Sequence, residues 1–427
     1  MLSQIKALKN RLNASKDGKA LVNNFGYLTL LQVATYLLPL ITIPYLARVI
    51  GVEGFGKIAF AAAVIVWFQT ITDWGFNYTA TRDVAKSRND LDRISEIFSV
   101  VLWTKISLMI IMFIVLNIMI SILPFFNENK NILLASFLII PGQILLSEWF
   151  FQAIEKMKFI TIFSLLSKFL FTFLIFIFIK EEEDFILHPI LYALGSISVG
   201  IYAIYSILFN FKIKLKFTSI KNILKLMKES SDVFINNLLP NLYNSLAIVF
   251  LGIWSGSAAS GIYDAGRKFI GIAHSFMGVI VRVLFPYLAR NIDKHTLFAK
   301  LYISFSIVVT IFIFLISPIL IDFFFTEEFE NAVIVLKISS LSIFLVGLNH
   351  IYGTNYLILE NHTKALRNIT LISSLFGFII AMPLVYIYSY IGASITLVLT
   401  QALLGFLVMK KALNIKRNLK LVGNNNV

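Results

Sequence analysis

The sequence predicts an all-α integral membrane protein that crosses the bilayer about twelve times, and three observations predict it. First, 58% of the 427 residues are apolar and only 14% charged, with a mean hydropathy of +0.83. An average soluble domain is roughly 25% charged, so no soluble core of this length could hide so much apolar surface. Second, the apolar runs are long and do not alternate. They approach the roughly 20 residues that a helix needs to cross hydrocarbon, unlike the alternating segments of about 10 residues in outer-membrane strands. Inside lipid only helices and closed barrels satisfy their backbone groups. Third, lysine and arginine collect on one side of the map that these runs define.

The spans fall in order at 20–47, 57–80, 97–123, 131–154, 159–180 and 187–209, then, after a basic stretch at 211–229, at 231–254, 261–289, 298–325, 332–359, 368–388 and 391–412. The apolar run behind the basic segment Met1 to Lys19 is too long for a signal-peptide core and lacks a small-residue cleavage site, so it reads as a retained first span. With both termini cytoplasmic, the cytoplasmic segments hold 27 of the 37 Lys/Arg, and the opposite side holds four: Arg48, Lys57, Lys130 and Lys180. Basic residues are retained on the cytoplasmic side, so the asymmetry predicts an even number of spans with this orientation. It also explains the formal net charge of +14 without nucleic acid as a partner. Cysteine is absent, which excludes disulfides, thiolate metal sites and cysteine nucleophiles. No metal-spaced histidines, phosphate loop or nucleophile motif stands out, and no cofactor is expected.

The basic stretch, with spaced Ile and Leu, suits an amphipathic segment on the membrane surface. It divides the chain into an N-terminal lobe (1–210), a linker (211–229) and a C-terminal lobe (230–427). The halves look repeated. Gly51-Val-Glu-Gly-Phe-Gly56 joins spans one and two, and Gly256-Ser-Ala-Ala-Ser-Gly261, 205 residues on, joins spans seven and eight with the outer glycines at the same spacing. Six spans per half make such a repeat parallel. Prolines 39 and 44 in span one and Pro240 at span seven are candidate bends.

Charges within spans are costly and usually functional. The map leaves Asp73, Lys105, Glu148, Lys168, Asp264, Arg267, Lys268, Arg282 and Lys337. By depth, Asp73 pairs with Lys105 and Glu148 with Lys168, either as structural ion pairs or as the lining of a cavity that carries a coupling ion. In span eight, Arg267, Gly271, His274, Gly278 and Arg282 follow at steps of 4, 3, 4 and 4. At 100° per residue they share a stripe about 80° wide, with Asp264 on the same face. The two arginines are about 22 Å apart at 1.5 Å per residue. Such a stripe is either a polar seam against neighbouring helices or a cavity wall. Its excess of cations suits a phosphate ligand, which guanidinium grips through two parallel bonds.

Pro39-Leu-Ile-Thr-Ile-Pro44-Tyr-Leu-Ala-Arg48-Val-Ile-Gly51-Val-Glu-Gly54-Phe-Gly56, then Trp74-Gly75-Phe76-Asn77 and Ala80-Thr81-Arg82, resemble the first two helices of bacterial polysaccharide flippases. These are the Wzx-type O-antigen translocases of the multidrug/oligosaccharidyl-lipid/polysaccharide exporter superfamily. Tyr263-Asp-Ala-Gly-Arg267-Lys268 and Phe285-Pro286-Tyr-Leu-Ala-Arg290 resemble their helix 8. The resemblance implies two six-helix lobes around a central cationic cavity. It also implies a polyprenyl-diphosphate-linked glycan moved between leaflets of the inner membrane by alternating access, with membrane lipid and a polymerase and export machinery as partners. Arg267 sits where related lipid II flippases carry a functionally important arginine. Arg48, Lys268, His274 and Arg282 complete the expected substrate-binding set; Asp73, Lys105, Glu148, Lys168, Asp264 and Lys337 are the coupling or ion-pair candidates. A cation-coupled multidrug exporter of the same fold is the alternative, but it is expected to carry an acid in span one, and 20–47 has none. A membrane enzyme would need larger extramembrane loops.

Overall fold

The structure, a computed structural model, describes residues 16–290 and 292–424. Most of the basic N-terminal segment and the end of the tail lie outside these. Helix is the only regular structure among the described residues. The α-helices are α1 (Lys16–Asp73), α2 (Phe76–Lys86), α3 (Leu91–Ile122), α4 (Pro124–Glu128), α5 (Lys130–Phe137), α6 (Ile139–Leu146), α7 (Glu148–Ala153), α8 (Met157–Phe178), α9 (Leu187–Tyr205), α10 (Ile220–Leu238), α11 (Asn241–Arg290), α12 (His295–Phe324), α13 (Ala332–Leu348) and α14 (Thr363–Asn424). A π-helix, Asn349–Leu357, extends α13.

Nine helical stretches among the described residues are long and apolar enough to cross a membrane. Three of them contain one non-helical residue at which the chain turns: Gly51 in α1 (φ 62°), Gly256 in α11 (φ 85°) and Ser389 in α14 (φ 50°). Counted as two spans each, these bring the nine to twelve. Gly51 and Gly256 are the leading glycines of the two repeated motifs. Both adopt positive φ, which a side chain resists and glycine does not. The prolines divide: α1 stays helical through Pro39 and Pro44, whereas Pro240 lies in the break between α10 and α11.

Close packing separates the chain into two units. One comprises the residues through Tyr45 together with Phe68–Ile235; the other comprises Leu46–Trp67 and the residues from Asn236 onward. This division differs from the lobe boundaries read from the sequence in two places, because 46–67 joins the second unit and 211–235 groups with the first.

In the first unit, small residues bring helices into backbone contact, as membrane helices require in the absence of a hydrophobic drive between them. A Cβ on Gly142 of α6 would lie 2.1 Å from the Ser196 hydroxyl of α9, and one on Gly195 would lie 2.8 Å from the Ser167 carbonyl of α8. The linker is exposed along most of its length and is tied to α3 by its backbone. Lys214 and Lys216 donate their N–H groups to the hydroxyls of Ser95 and Ser99 on α3, at 3.0 and 2.9 Å. The amphipathic helix α10 runs on to Leu238, past the expected start of span seven. It docks where α1 gives way to α2: the Trp74 ring stacks on Phe234 with centroids 4.0 Å apart, and its Nε1 donates to the Met227 carbonyl at 3.0 Å.

In the second unit, the two glycine motifs meet. A Cβ on Gly56 would lie 1.8 Å from the Ser257 carbonyl oxygen, and one on Gly261 would lie 2.3 Å from that of Val52. Phe55 packs edge-on against Phe325 and Phe329, and Val52 N–H donates to Glu328 at 2.9 Å. These contacts are the physical reason that 46–67 groups with the later residues.

Candidate functional site

Two polar features stand out, one in each unit. In the first unit, backbone breaks position the acids. α1 ends at Asp73; Trp74 (φ 42°) and Gly75 (φ 77°) then take left-handed conformations before α2 begins. α6 ends at Leu146, Ser147 is left-handed (φ 43°), and α7 begins at Glu148. Irregular backbone at membrane depth is tolerated where it lines a cavity or is buried in protein. Here both acids line one cavity of about 250 Å³.

Lys105, 4% exposed, reaches into this cavity from α3. It donates to Asp73 at 2.6 Å and to Asn77 Oδ1 at 3.2 Å. The expected Asp73–Lys105 pair is therefore a contact ion pair. The second expected pair is not: the Glu148 carboxylate accepts from the Ser164 hydroxyl, and Lys168 lines the same cavity with no contact ion pair among the described residues. The serine one helix across competes for the carboxylate, a contact that depth matching along the sequence does not reveal. Gln143, Ser167 and Tyr192 also line the space. Sequence reasoning missed all three. Trp74-Gly75 was a visible signal for one break, but Ser147 gave none.

In the second unit, α11 carries the arginine stripe. Arg267 donates to the carbonyl and the side-chain oxygen of Asn244 at 3.2 and 3.3 Å, and its guanidinium lies over the Tyr263 ring at 5.3 Å. Guanidinium has five N–H donors, so some remain for a ligand. Lys268 is engaged by Asp264 at 2.8 Å, one turn away, so part of its charge is offset within the helix. His274 Nε2 bonds the Ser342 hydroxyl of α13 at 3.2 Å, so that edge of the stripe is a structural seam. Further along, Tyr302 joins α11 to the π-helix that extends α13, donating to the Met277 carbonyl and meeting His350 Nδ1, both at 3.0 Å. Arg282 is exposed and close enough to His350 to act on it electrostatically.

The middle of the stripe is open. A Cβ added at Gly271 or Gly278 would meet nothing within 4 Å. The seam and wall readings thus apply to different edges of one helix. Arg48 is also exposed and belongs to this unit. Lys337 lies elsewhere, over the Phe314 ring at 5.7 Å, and lines a separate cavity of about 850 Å³ with Asp322, Glu327 and Glu330.

Comparison with known proteins gives a consistent result. A family model described as "Polysaccharide biosynthesis protein" matches residues 21–292. A curated protein of Escherichia coli (strain K12) named "Putative O-antigen transporter" is 28% identical over 398 residues, 91% of this chain and 96% of its own. One of the same name from Shigella dysenteriae is 24% identical over 392 residues, 91% of this chain and 98% of its own. Among solved structures, the lipid II flippase MurJ in an inward closed conformation aligns with TM-score 0.74 at 15% identity, over 90% of this chain and 87% of that one. An inward-facing multidrug resistance MATE family transporter of the MOP superfamily aligns with TM-score 0.66 at 14% identity, over 93% and 99%. The fold of this multi-pass membrane protein is that of the MOP transporters.

Proposed function

The chain belongs to the polysaccharide biosynthesis protein family, and from that premise we propose that it is a flippase for a polyprenyl-diphosphate-linked oligosaccharide, an O-antigen or capsule repeat unit. It carries this substrate from the cytoplasmic to the periplasmic leaflet of the bacterial inner membrane by alternating access. Both termini are cytoplasmic, and a polymerase and export machinery receive the product. The names of the two curated relatives support the substrate class, and the likeness to MurJ, a lipid II flippase, supports a fold able to move such a substrate. The observation that carries the reading is the α11 face, with Arg267 and Arg282 at its ends and the open Gly271 and Gly278 between them.

Arg282, nearer the cytoplasmic end, meets the diphosphate first, and Arg267 meets it later. Asn244 and Tyr263 fix the Arg267 guanidinium plane, so a phosphate is gripped without first ordering the side chain. Arg48 adds positive charge in the same unit. An exporter of organic cations would need free acid on this face, whereas Asp264 is taken by Lys268.

Removing one charge-assisted contact costs about 1.5–3 kcal/mol, which is roughly 10- to 150-fold in affinity. The test is surface polysaccharide in a flippase-null strain that expresses Arg267→Ala, Arg267→Lys or Arg282→Ala at matched protein levels. Both alanine variants are expected to lose export. Lysine at 267 restores part of it, because it keeps the charge and loses the fork. Full export by Arg267→Ala overturns the assignment.

A further inference from the structure

We propose that the cavity of the first unit is a binding site for one neutral sugar ring of the transported glycan. The inference rests on the transport reading above and places a second contact on the substrate, apart from the arginine face. The charges come first. Asp73 and Glu148 balance Lys105 and Lys168, so the cavity is formally neutral. A metal cation would have to displace the Lys105 ammonium from Asp73, where it sits at 2.6 Å. An anion would face two carboxylates. A hydroxyl suits both, since it donates one bond and accepts two, so it can give to Glu148 and take from Lys168 at once.

The unpartnered groups point the same way. Lys168 and Tyr192, both part-buried, line the cavity with Gln143 at its mouth, and their side chains make no hydrogen bond among the described residues. Polar groups held inside a membrane unit without partners are costly unless a ligand or water completes them. Two broken helices converge here, as discontinuous helices do at transporter binding sites. Trp149 and Tyr192 add aromatic surface to the wall, which suits the apolar face of a sugar ring. Size limits the ligand. The 250 Å³ is below the roughly 300–1,000 Å³ of drug-sized pockets and equals about eight waters at ~30 Å³ each. That is room for a monosaccharide ring and not for a repeat unit. Ser164 and Ser167, 6% exposed each, form the inner wall, while Asn77, Gln143 and Glu148 stand exposed at the mouth.

The chain has no cysteine, so single reporters test this directly. Ser167→Cys reports on the cavity and Gly271→Cys on the arginine face, where a side chain meets nothing within 4 Å. Each is alkylated by a small methanethiosulfonate in membranes from cells that assemble the lipid-linked glycan. The same is done in membranes from cells blocked before the first sugar is added, with and without sodium chloride. Ser167→Cys is expected to react severalfold more slowly where the glycan is present, with no effect of sodium. Tyr192→Phe in that background should weaken the protection roughly 2- to 12-fold, the loss of one neutral hydrogen bond. Equal rates at Ser167→Cys with slowing at Gly271→Cys overturn the sugar site and leave the transport reading standing. No slowing at either reporter overturns both. Protection by sodium alone makes the cavity a cation site instead. Should Ser167→Cys be unreactive in the blocked membranes, Gln143→Cys at the exposed mouth gives the same comparison.

Discussion

The Asp73–Lys105 pair should show an asymmetry that its geometry dictates. The Lys105 side chain is 5% exposed and the Asp73 side chain 37%. Removing the carboxylate with Asp73→Asn strands an ammonium in the interior, with Asn77 Oδ1 at 3.2 Å as its remaining strong partner. Breaking a buried pair from one side costs about 3–5 kcal/mol. Lys105→Met strands a carboxylate that water already reaches, so the loss falls to about 1–3 kcal/mol. In a unit of this size each kcal/mol moves the melting temperature by about 2–4 °C. Asp73→Asn should therefore melt roughly 6–20 °C below the parent, and Lys105→Met less far. The double variant should be more stable than Asp73→Asn alone, because no buried charge is left unpaired, and exchanging the two residues should recover most of the loss. Thermal melts of the purified, detergent-solubilised protein measure all four. If Lys105→Met proved the more damaging single change, or the double variant lost the sum of the two, the pair would not be the buried lysine's neutralising contact.

Other consequences are direct. Gly56→Ala and Gly261→Ala must push backbone apart, since the new Cβ would lie 1.8 and 2.3 Å from carbonyl oxygens; at least about 1–3 kcal/mol is lost, read by melting and by folded yield. Gly271→Ala meets nothing, so it should leave stability unchanged or raise it by up to about 1 kcal/mol through helix propensity. Trp74→Ala removes the stack on Phe234 and the bond to Met227, together about 1–3 kcal/mol, and should expose the 211–219 linker to limited proteolysis. For topology, cysteines at Glu128, Glu182 and Glu328 should react with an impermeant maleimide from outside intact cells, and those at Ser87 and Lys221 should not. Glu128 serves better than its neighbour Asn129, which is 7% exposed. Labelling of Ser87 from outside would reverse the proposed orientation.

The sequence by itself determined the solvent and the helices. A run of apolar residues long enough to cross hydrocarbon can satisfy its backbone in only one local way, so the spans were legible without tertiary information. The turns at Gly51 and Gly256 were legible for a related reason, since positive φ there calls for glycine. The stripe from Arg267 to Arg282 followed from helical periodicity alone. Asp73 with Lys105 followed from equal depth on consecutive helices. What the tertiary structure decided is which partner each polar group finds. Glu148 sits beside Ser164, not in contact with Lys168; His274 turns to Ser342 while Gly271 stays open. The break at Ser147, the docking of α10 on Trp74, and the grouping of 46–67 with the second unit were likewise invisible. Each depends on a contact between residues tens to hundreds of positions apart, or on strain that only surrounding packing can hold in place. Periodicity fixes the face on which a residue lies, but only the packed neighbour decides whether that face is a seam, a floor or an open wall.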